Sequence, residues 1–217
     1  MVYHPPTYIA AANIPISPPD YTWDEQVEEE VQFHQPRIAH RIGRMSHRAA
    51  LAFSLGAIEW TLWRLHRELP DEQPFQWLEA AWGGIVDWKY LASFDLPEWE
   101  EDFDWPVGGP LGESFSCLYE SFGEARRGKP FIHLPVTISE VALRVCGQPE
   151  TFKTWRRTII ERLMETCPMD LHAPLGRPVP RDIVDPNYIP SVESDQERIA
   201  AYIAALDSQT NPFLGKP

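Results

Sequence analysis

The pattern of apolar and polar positions predicts an all-α chain. Apolar residues recur three and four positions apart over most of the sequence, whereas no convincing run alternates with period two. The clearest helical signal covers residues 37–69, which contain no proline, begin amphipathic and become apolar on nearly every side. We therefore expect a single globular multi-helix domain around a long central helix over about 37–69.

Prolines and glycines set the limits of the other predicted segments. Five prolines in the first nineteen residues predict an extended arm over residues 1–21, and six between 168 and 190 predict an extended strap over the helical body. The helical domain is expected over residues 22–207, followed by a flexible tail over 208–217. Glycine-rich residues 108–113 lack the lysine of a phosphate-binding loop and are predicted to form a turn. Further helices are predicted near residues 22–35, 74–94, 112–128, 138–147, 149–167 and 194–208, with Gly128 and Gly147 as C-terminal caps.

The charge of the chain narrows its possible partners. The 217 residues include 19 Lys and Arg against 32 Asp and Glu, a net charge of −13 with neutral histidine. This charge repels phosphate backbones and anionic membrane surfaces, so we expect neither a nucleic-acid nor a membrane partner. A basic protein partner would instead be steered toward such a surface.

The cysteines and the apolar runs indicate a soluble cytoplasmic protein. Cys117, Cys146 and Cys167 are odd in number and widely spaced, which favours reduced thiols. The N-terminus has no signal-peptide pattern. The longest nearly apolar run, residues 49–63, contains Glu59 and is shorter than the ~20 residues needed to span a bilayer.

Four arginines share one predicted helix face. At about 100° per residue, Arg37, Arg41, Arg44 and Arg48 fall within a stripe roughly 40° wide. The first interpretation is structural, with ion pairs from this stripe to the carboxylates of residues 24–30. The second is a site for an anionic ligand or an acidic patch on a partner, which requires the arginines to be exposed.

Glu59 lies inside an apolar stretch and needs a partner, because an isolated buried carboxylate is costly. On the predicted wheel, Glu59 and His66 continue the azimuth of the four arginines, so all six residues form a predicted polar seam. The structural interpretation is a buried Glu bonded to an Arg, a His or an indole N–H. The alternative is an α-helical enzyme, possibly a metal-dependent hydrolase, that uses Glu59, His66 and Asp87.

Other catalytic patterns are weak. His34, His40, His47 and His66 show no zinc-binding spacing, and no nucleophile motif occurs. The sequence therefore predicts no metal, no cofactor and no catalytic residue.

The densest charge in the chain is the acidic block, which we define as residues 95–105. Aromatic side chains among carboxylates are typical of binding surfaces in which rings enter pockets and charges orient the partner. The alternative is that the rings anchor a loop to the body. Together with acids near residue 30, the predicted partner-binding residues are Asp95, Glu98, Trp99, Glu100, Glu101, Asp102, Phe103, Asp104, Trp105, Glu28, Glu29 and Glu30.

These observations favour a non-catalytic acidic protein-binding module. Acidic helical proteins that occlude another protein include the immunity proteins that neutralise bacterial toxins. Our comparison of this chain with immunity proteins rests on that shared class alone and on no sequence motif. The hypothesis is a stoichiometric inhibitor that covers the active cleft of a basic toxin or effector enzyme. The enzyme using Glu59 and His66 stays as the second hypothesis.

Overall fold

The structure, a computed structural model, describes residues 3–14, 21–32, 35–92, 107–147 and 149–215. Within these ranges the chain forms nine α-helices and two short 3-10 helices, and its only β pairings are isolated bridges. The all-α, single-domain prediction is confirmed. The α-helices are α1 (Thr7–Ala11), α2 (Glu25–Gln32), α3 (Pro36–Ile42), α4 (His47–Leu65), α5 (Gln73–Val86), α6 (Gly108–Arg126), α7 (His133–Val145), α8 (Glu150–Thr166) and α9 (Val192–Ala205).

Helix α4 is the central helix, and nearly all of its residues are buried. Helices α5, α6, α7 and α8 pack around it. Large aromatic side chains fill the space between them: Trp60 and Phe152 pack edge to face, and so do Trp77 and Phe115. Burial on every side explains why α4 lacks the one-sided apolar stripe of a surface helix.

The predicted helix over 37–69 is divided in two near its start. Helix α3 ends at Ile42, and α4 begins after Ser46, whose hydroxyl accepts a hydrogen bond from the Ala49 N–H as an N-cap. The Ser46 N–H donates to the Cys167 carbonyl, and the Met169 N–H donates to that of Arg44. These long-range bonds stabilise the break, so the four arginines do not share one helix face.

The proline-rich strap runs across α4 and α8 as predicted, with one 3-10 turn at Arg181–Val184. The Trp155 indole donates to the Val184 carbonyl at 2.9 Å. Arg162 donates to the carbonyls of Ile183 and Pro186. The strap is therefore bound through its backbone carbonyls, which suits a segment in which proline removes N–H donors.

Other segments differ from their predicted form. Residues 108–113 open α6 instead of forming a turn. In the N-terminal arm, Thr7–Ala11 is helical and Tyr8 and Ile9 are buried. At the C-terminus, Phe213 and Leu214 are buried, and Leu214 pairs with Leu91. Apolar anchors in these proline-rich and terminal stretches explain their packing against the body.

Candidate functional site

The acidic block lies outside the described residues, but the chain on either side of it is fixed to the body. Before the block, the Ala92 N–H donates to the Phe213 carbonyl at 2.9 Å. After it, Val107 is buried and precedes α6. Both flanks therefore belong to the packed helical body.

Helix α2 carries the other predicted acidic residues on an exposed face. Val27 and Val31, four positions apart, are buried, and α2 packs on α7. Glu25 and Glu29 are also four apart and fall on the opposite side of the helix, where both are exposed. Like charges at this spacing destabilise a helix, and no ion pair to another described residue compensates either of them.

The two other predicted acids of α2 have partners within the protein. The Trp23 indole N–H donates to Glu28 at 3.0 Å, and Glu28 is half-buried. Glu30 lies 3.5 Å from Arg144 of α7. Of the three predicted contacts on this helix, Glu29 is the one whose carboxylate is both exposed and uncompensated.

Helix α2 lies beside the start of α6, where the acidic block rejoins the described chain. Trp23 packs so closely on Gly109 that a side chain at residue 109 would overlap the indole. At the other end of α2, Gln32 donates to Glu113 of α6 at 3.4 Å. Helix α2 therefore lies beside the point where the described chain resumes after the acidic block, at Val107.

Glu59 is fully buried in α4 and has partners from three other parts of the fold. Its Oε1 accepts from Arg181 Nε at 2.7 Å and from the Trp82 indole at 2.9 Å, and Arg181 Nη2 also lies 2.7 Å away. Its Oε2 accepts from the Tyr8 hydroxyl. The structural interpretation of Glu59 therefore agrees with its contacts, which join α1, α5 and the strap to α4.

The electrostatics of this centre favour the ion pair. Burial is the largest single effect and opposes the charge of Arg181, but the interactions with Glu59, Tyr202 and Tyr8 together outweigh it and raise the pKa of the guanidinium. Burial, followed by repulsion from Glu59, raises the pKa of the Tyr8 hydroxyl well above its usual value. Arg181 stays charged and Tyr8 stays protonated, so both remain donors to Glu59.

The predicted polar seam is not continuous. None of the partners of Glu59 belongs to it, and His66 is exposed, with its Nδ1 2.8 Å from the Trp63 carbonyl. Asp87, the other residue of the enzyme hypothesis, pairs with Lys89 at 3.6 Å. These residues do not meet in a shared reaction site.

The arginine stripe does not form the expected pairs with residues 24–30. Arg41 pairs with Glu161 of α8 at 3.1 Å, while Arg37 and Arg44 are exposed without an ion pair to a described residue. Arg48 donates to the carbonyls of Gly176 and Val86. The break between α3 and α4 separates the side chains that a continuous helix would have aligned.

Metal and thiol chemistry have little support in the part of the chain that the structure describes. No group of three or more His, Cys, Asp or Glu residues there is placed to hold a metal ion. Cys117, Cys146 and Cys167 are free and buried, and burial is the largest cause of a raised pKa at Cys117 and Cys146. Among the described helices, none combines the length and apolarity needed to cross a bilayer.

Sequence reasoning identified Glu59 as a residue in need of a partner but missed Arg181, Tyr8 and Trp82. Arg181 is 122 positions away along the chain, inside the strap. The available signal is an arginine inside a proline-rich stretch, directly after Pro180 and before Asp182, where no helix is predicted that would place it in solvent. Such a residue is a candidate partner for a buried carboxylate.

Comparison with protein-family models, curated proteins and solved structures gives no match for this chain. Its function therefore has to be inferred from its own residues and their geometry.

Proposed function

We propose that this protein is a non-catalytic binding module whose acidic surface engages a basic protein partner. The surface comprises the acidic block and the exposed carboxylates of α2. Its role is that of a stoichiometric inhibitor in the bacterial cytoplasm, which covers the active cleft of a cognate toxin or effector enzyme as immunity proteins do.

The observation that carries this proposal is the junction between α2 and the start of α6. The contact of Trp23 with Gly109 brings the acids of α2 next to the point where the acidic block rejoins the body. This contact supports the proposal that the two acidic stretches, about seventy positions apart in sequence, act together as one negatively charged surface. A concentrated potential raises the rate of encounter with a basic partner more than a dispersed charge does.

The chemistry of the described carboxylates also favours binding over catalysis. Glu59 has donors on both oxygens and is sealed from solvent, so it has no free position for a substrate proton. Glu29, in contrast, is exposed in the last turn of α2, where the helix dipole disfavours negative charge. A charge that lowers local stability can be retained when it is needed to bind a partner.

The test begins with identification of the partner from the native host. The tagged full-length chain is used to capture proteins at low salt, and those captured are identified by mass spectrometry. We expect a basic protein that binds one to one, and whose enzymatic activity is lost when one equivalent of this protein is added. Capture of an acidic partner, or full activity in the complex, would contradict inhibition by occlusion.

A neutralised acidic block then tests the assigned surface. Six substitutions to Asn or Gln at Asp95, Glu98, Glu100, Glu101, Asp102 and Asp104 should weaken binding at low salt strongly. The matched control neutralises six exposed carboxylates elsewhere, at Glu68, Glu120, Glu165, Glu193, Glu197 and Asp207. Both variants change the net charge equally, so equal effects would attribute binding to overall charge and remove the role of the block.

A further inference from the structure

A large cleft of about 580 Å³ lies on a different part of the molecule. It is bounded by the N-cap of α4, the C-terminal ends of α6 and α8, and the first part of the strap, residues 168–177. Its volume falls within the range of roughly 300–1,000 Å³ that is common for small-molecule sites. We call it the arginine cleft, because Arg126 lines it and Arg48 donates to the carbonyl of Gly176 in its wall.

Arg126 is held at this cleft by an aromatic ring. Its guanidinium carbon lies 5.3 Å from the centroid of the Trp88 ring, and both residues line the cleft. Stacking uses the face of a guanidinium and leaves the N–H groups at its edge available as donors. No hydrogen bond or ion pair joins Arg126 to another described residue, so this edge is oriented but unoccupied by protein acceptors.

Arg48 lies behind the cleft wall without a carboxylate partner. Its Nη1 donates to the Gly176 carbonyl at 2.8 Å, its Nη2 donates to that of Val86 at 3.0 Å, and its buried Nε has no partner. Gly176 and Trp88, both part of the wall, contact it. Burial lowers the pKa of this guanidinium against the attraction of Asp87, as expected for a cation without a close counter-ion.

The other charged residues that line the cleft, taken from the described part of the chain, leave it with an excess of positive charge. Arg177 forms an ion pair with the buried Asp195 at 2.5 Å and is thereby neutralised. Asp170 is the one carboxylate among the lining residues, and it is exposed. Among the described residues, Arg126 at the cleft and Arg48 behind its wall thus have no ion pair, and Asp170 is the one carboxylate that lines the cleft, in a chain whose net charge is −13.

We propose that the arginine cleft binds a small anionic ligand, whose phosphate or carboxylate group is held by the free edge of Arg126. Arg48 adds a fixed positive field from behind the wall, where the dielectric constant is lower than in water. The apolar wall formed by Pro168, Pro174 and Leu175 contacts a compact apolar body of the ligand. This site goes beyond the proposed function, because it recognises charge of the opposite sign from that expected of the protein partner.

The first experiment measures binding of three ring-sized probes by isothermal titration calorimetry of the isolated full-length protein at low salt. We expect phenyl phosphate or phenylacetate to bind at least tenfold more tightly than uncharged benzyl alcohol. Preference for one of the two anions identifies phosphate or carboxylate as the recognised group. No detectable binding of either anion, or equal binding of benzyl alcohol, would overturn the proposal.

The second experiment assigns the anion contact to Arg126. Arg126→Gln should weaken binding of the preferred anion about tenfold or more, because a charge-assisted bidentate bond is lost. Arg126→Lys should bind with intermediate affinity, since it keeps the charge but loses the planar pair of donors. Arg157→Gln, an exposed substitution in the first half of α8, is the matched charge control. All variants are first checked for an unchanged thermal transition.

A loss at Arg126→Gln no larger than that at Arg157→Gln would contradict the assigned contact. These measurements use no protein partner. Failure of the ligand site would therefore leave the proposed inhibitory function untouched, and failure of partner capture would leave the ligand site untouched.

Discussion

Glu59 and Glu29 show two opposite uses of the same side chain. Glu59 is fully buried and accepts hydrogen bonds on both oxygens from Arg181, Trp82 and Tyr8. Glu29 is exposed, stands opposite the buried face of α2, and has no ion pair with a described residue. The first carboxylate is satisfied by the fold, whereas the second remains available to something outside it.

This difference distinguishes charges that stabilise the fold from charges that are available to bind a partner. A buried ion pair loses much stability when one member is removed, because the other is left unpaired in a poor solvent for charge. An exposed acid without a partner contributes almost nothing to stability and can even reduce it. We therefore expect substitutions at the Glu59 centre to lower stability strongly without a direct effect on partner binding. Substitutions on the exposed face of α2 should change partner binding with little effect on stability.

The largest effect is expected for Glu59→Met. The change leaves Arg181, the Tyr8 hydroxyl and the Trp82 indole without their acceptor, and should lower the free energy of unfolding by about 3–5 kcal/mol. Chemical denaturation monitored by circular dichroism measures this loss. A loss below about 1 kcal/mol would mean that the centre does not hold α1, α5 and the strap to α4.

A second substitution should restore much of that stability. Replacing Arg181 by Met in the Glu59→Met protein removes the unpaired charge and fills similar volume with apolar atoms, so about 2–3 kcal/mol should return. The four proteins of the double-mutant cycle give the coupling energy directly. Additive losses at the two positions would contradict a direct ion pair.

Tyr8→Phe should cost about 2 kcal/mol, because a hydrogen bond to a charged acceptor is lost in the buried centre. Tyr202→Phe is the matched control, since the Tyr202 hydroxyl donates at 2.8 Å to the uncharged backbone carbonyl of Glu79. It should cost about 1 kcal/mol. Urea denaturation of both variants makes the comparison, and a larger loss at Tyr202 would reverse the assigned roles.

Alkaline pH should destabilise the protein through the same centre. The pKa of Tyr8 is raised in the folded state, so above pH ~10 the unfolded chain loses this proton while the folded chain keeps it. Stability then falls as pH rises, by about 1.4 kcal/mol per pH unit for each such group. Denaturation from pH 9 to 11 should show a shallower decline for Tyr8→Phe than for the unchanged protein, and identical slopes would contradict the raised pKa.

The smallest effect on folding is expected at α2. Glu29→Gln removes a charge that interacts unfavourably with Glu25 and with the helix C-terminus, so stability should change by less than about 0.5 kcal/mol and in the stabilising direction. Glu30→Gln is the control, because it removes the ion pair with Arg144. Thermal unfolding compares the two. A clear loss for Glu29→Gln would place this residue among the structural acids.

The helical class could be predicted from sequence because burial on all sides leaves a strong apolar pattern over α4. The break before α4 was also encoded locally, in Gly43 after α3 and in the capping Ser46. The break is absent from the prediction because the apolar pattern on its two sides favours one continuous helix over residues 37–69. The hydrogen bonds that fix it come from residues 167 and 169, and no local pattern reveals such partners.

The candidate site was predictable only in part. The composition identified acidic stretches, and the apolar surroundings of Glu59 required a partner, but neither observation gives distances between segments remote in sequence. The approach of Trp23 to Gly109 depends on the packing of α2 and α6, and the pairing of Glu59 with Arg181 depends on the course of the strap. Both are tertiary contacts between positions with no shared periodicity.

The central claim is that the acids of α2 steer a basic partner, and the association rate constant tests it most directly. After the partner is identified, the rate is measured by stopped flow at low and high salt for Glu25→Gln/Glu29→Gln. The control is Glu193→Gln/Glu197→Gln on the exposed side of α9, with the same change in net charge. We predict about a tenfold lower rate at low salt for the α2 variant and less than about a twofold change for the control. Equal rates for the two variants would contradict the claim.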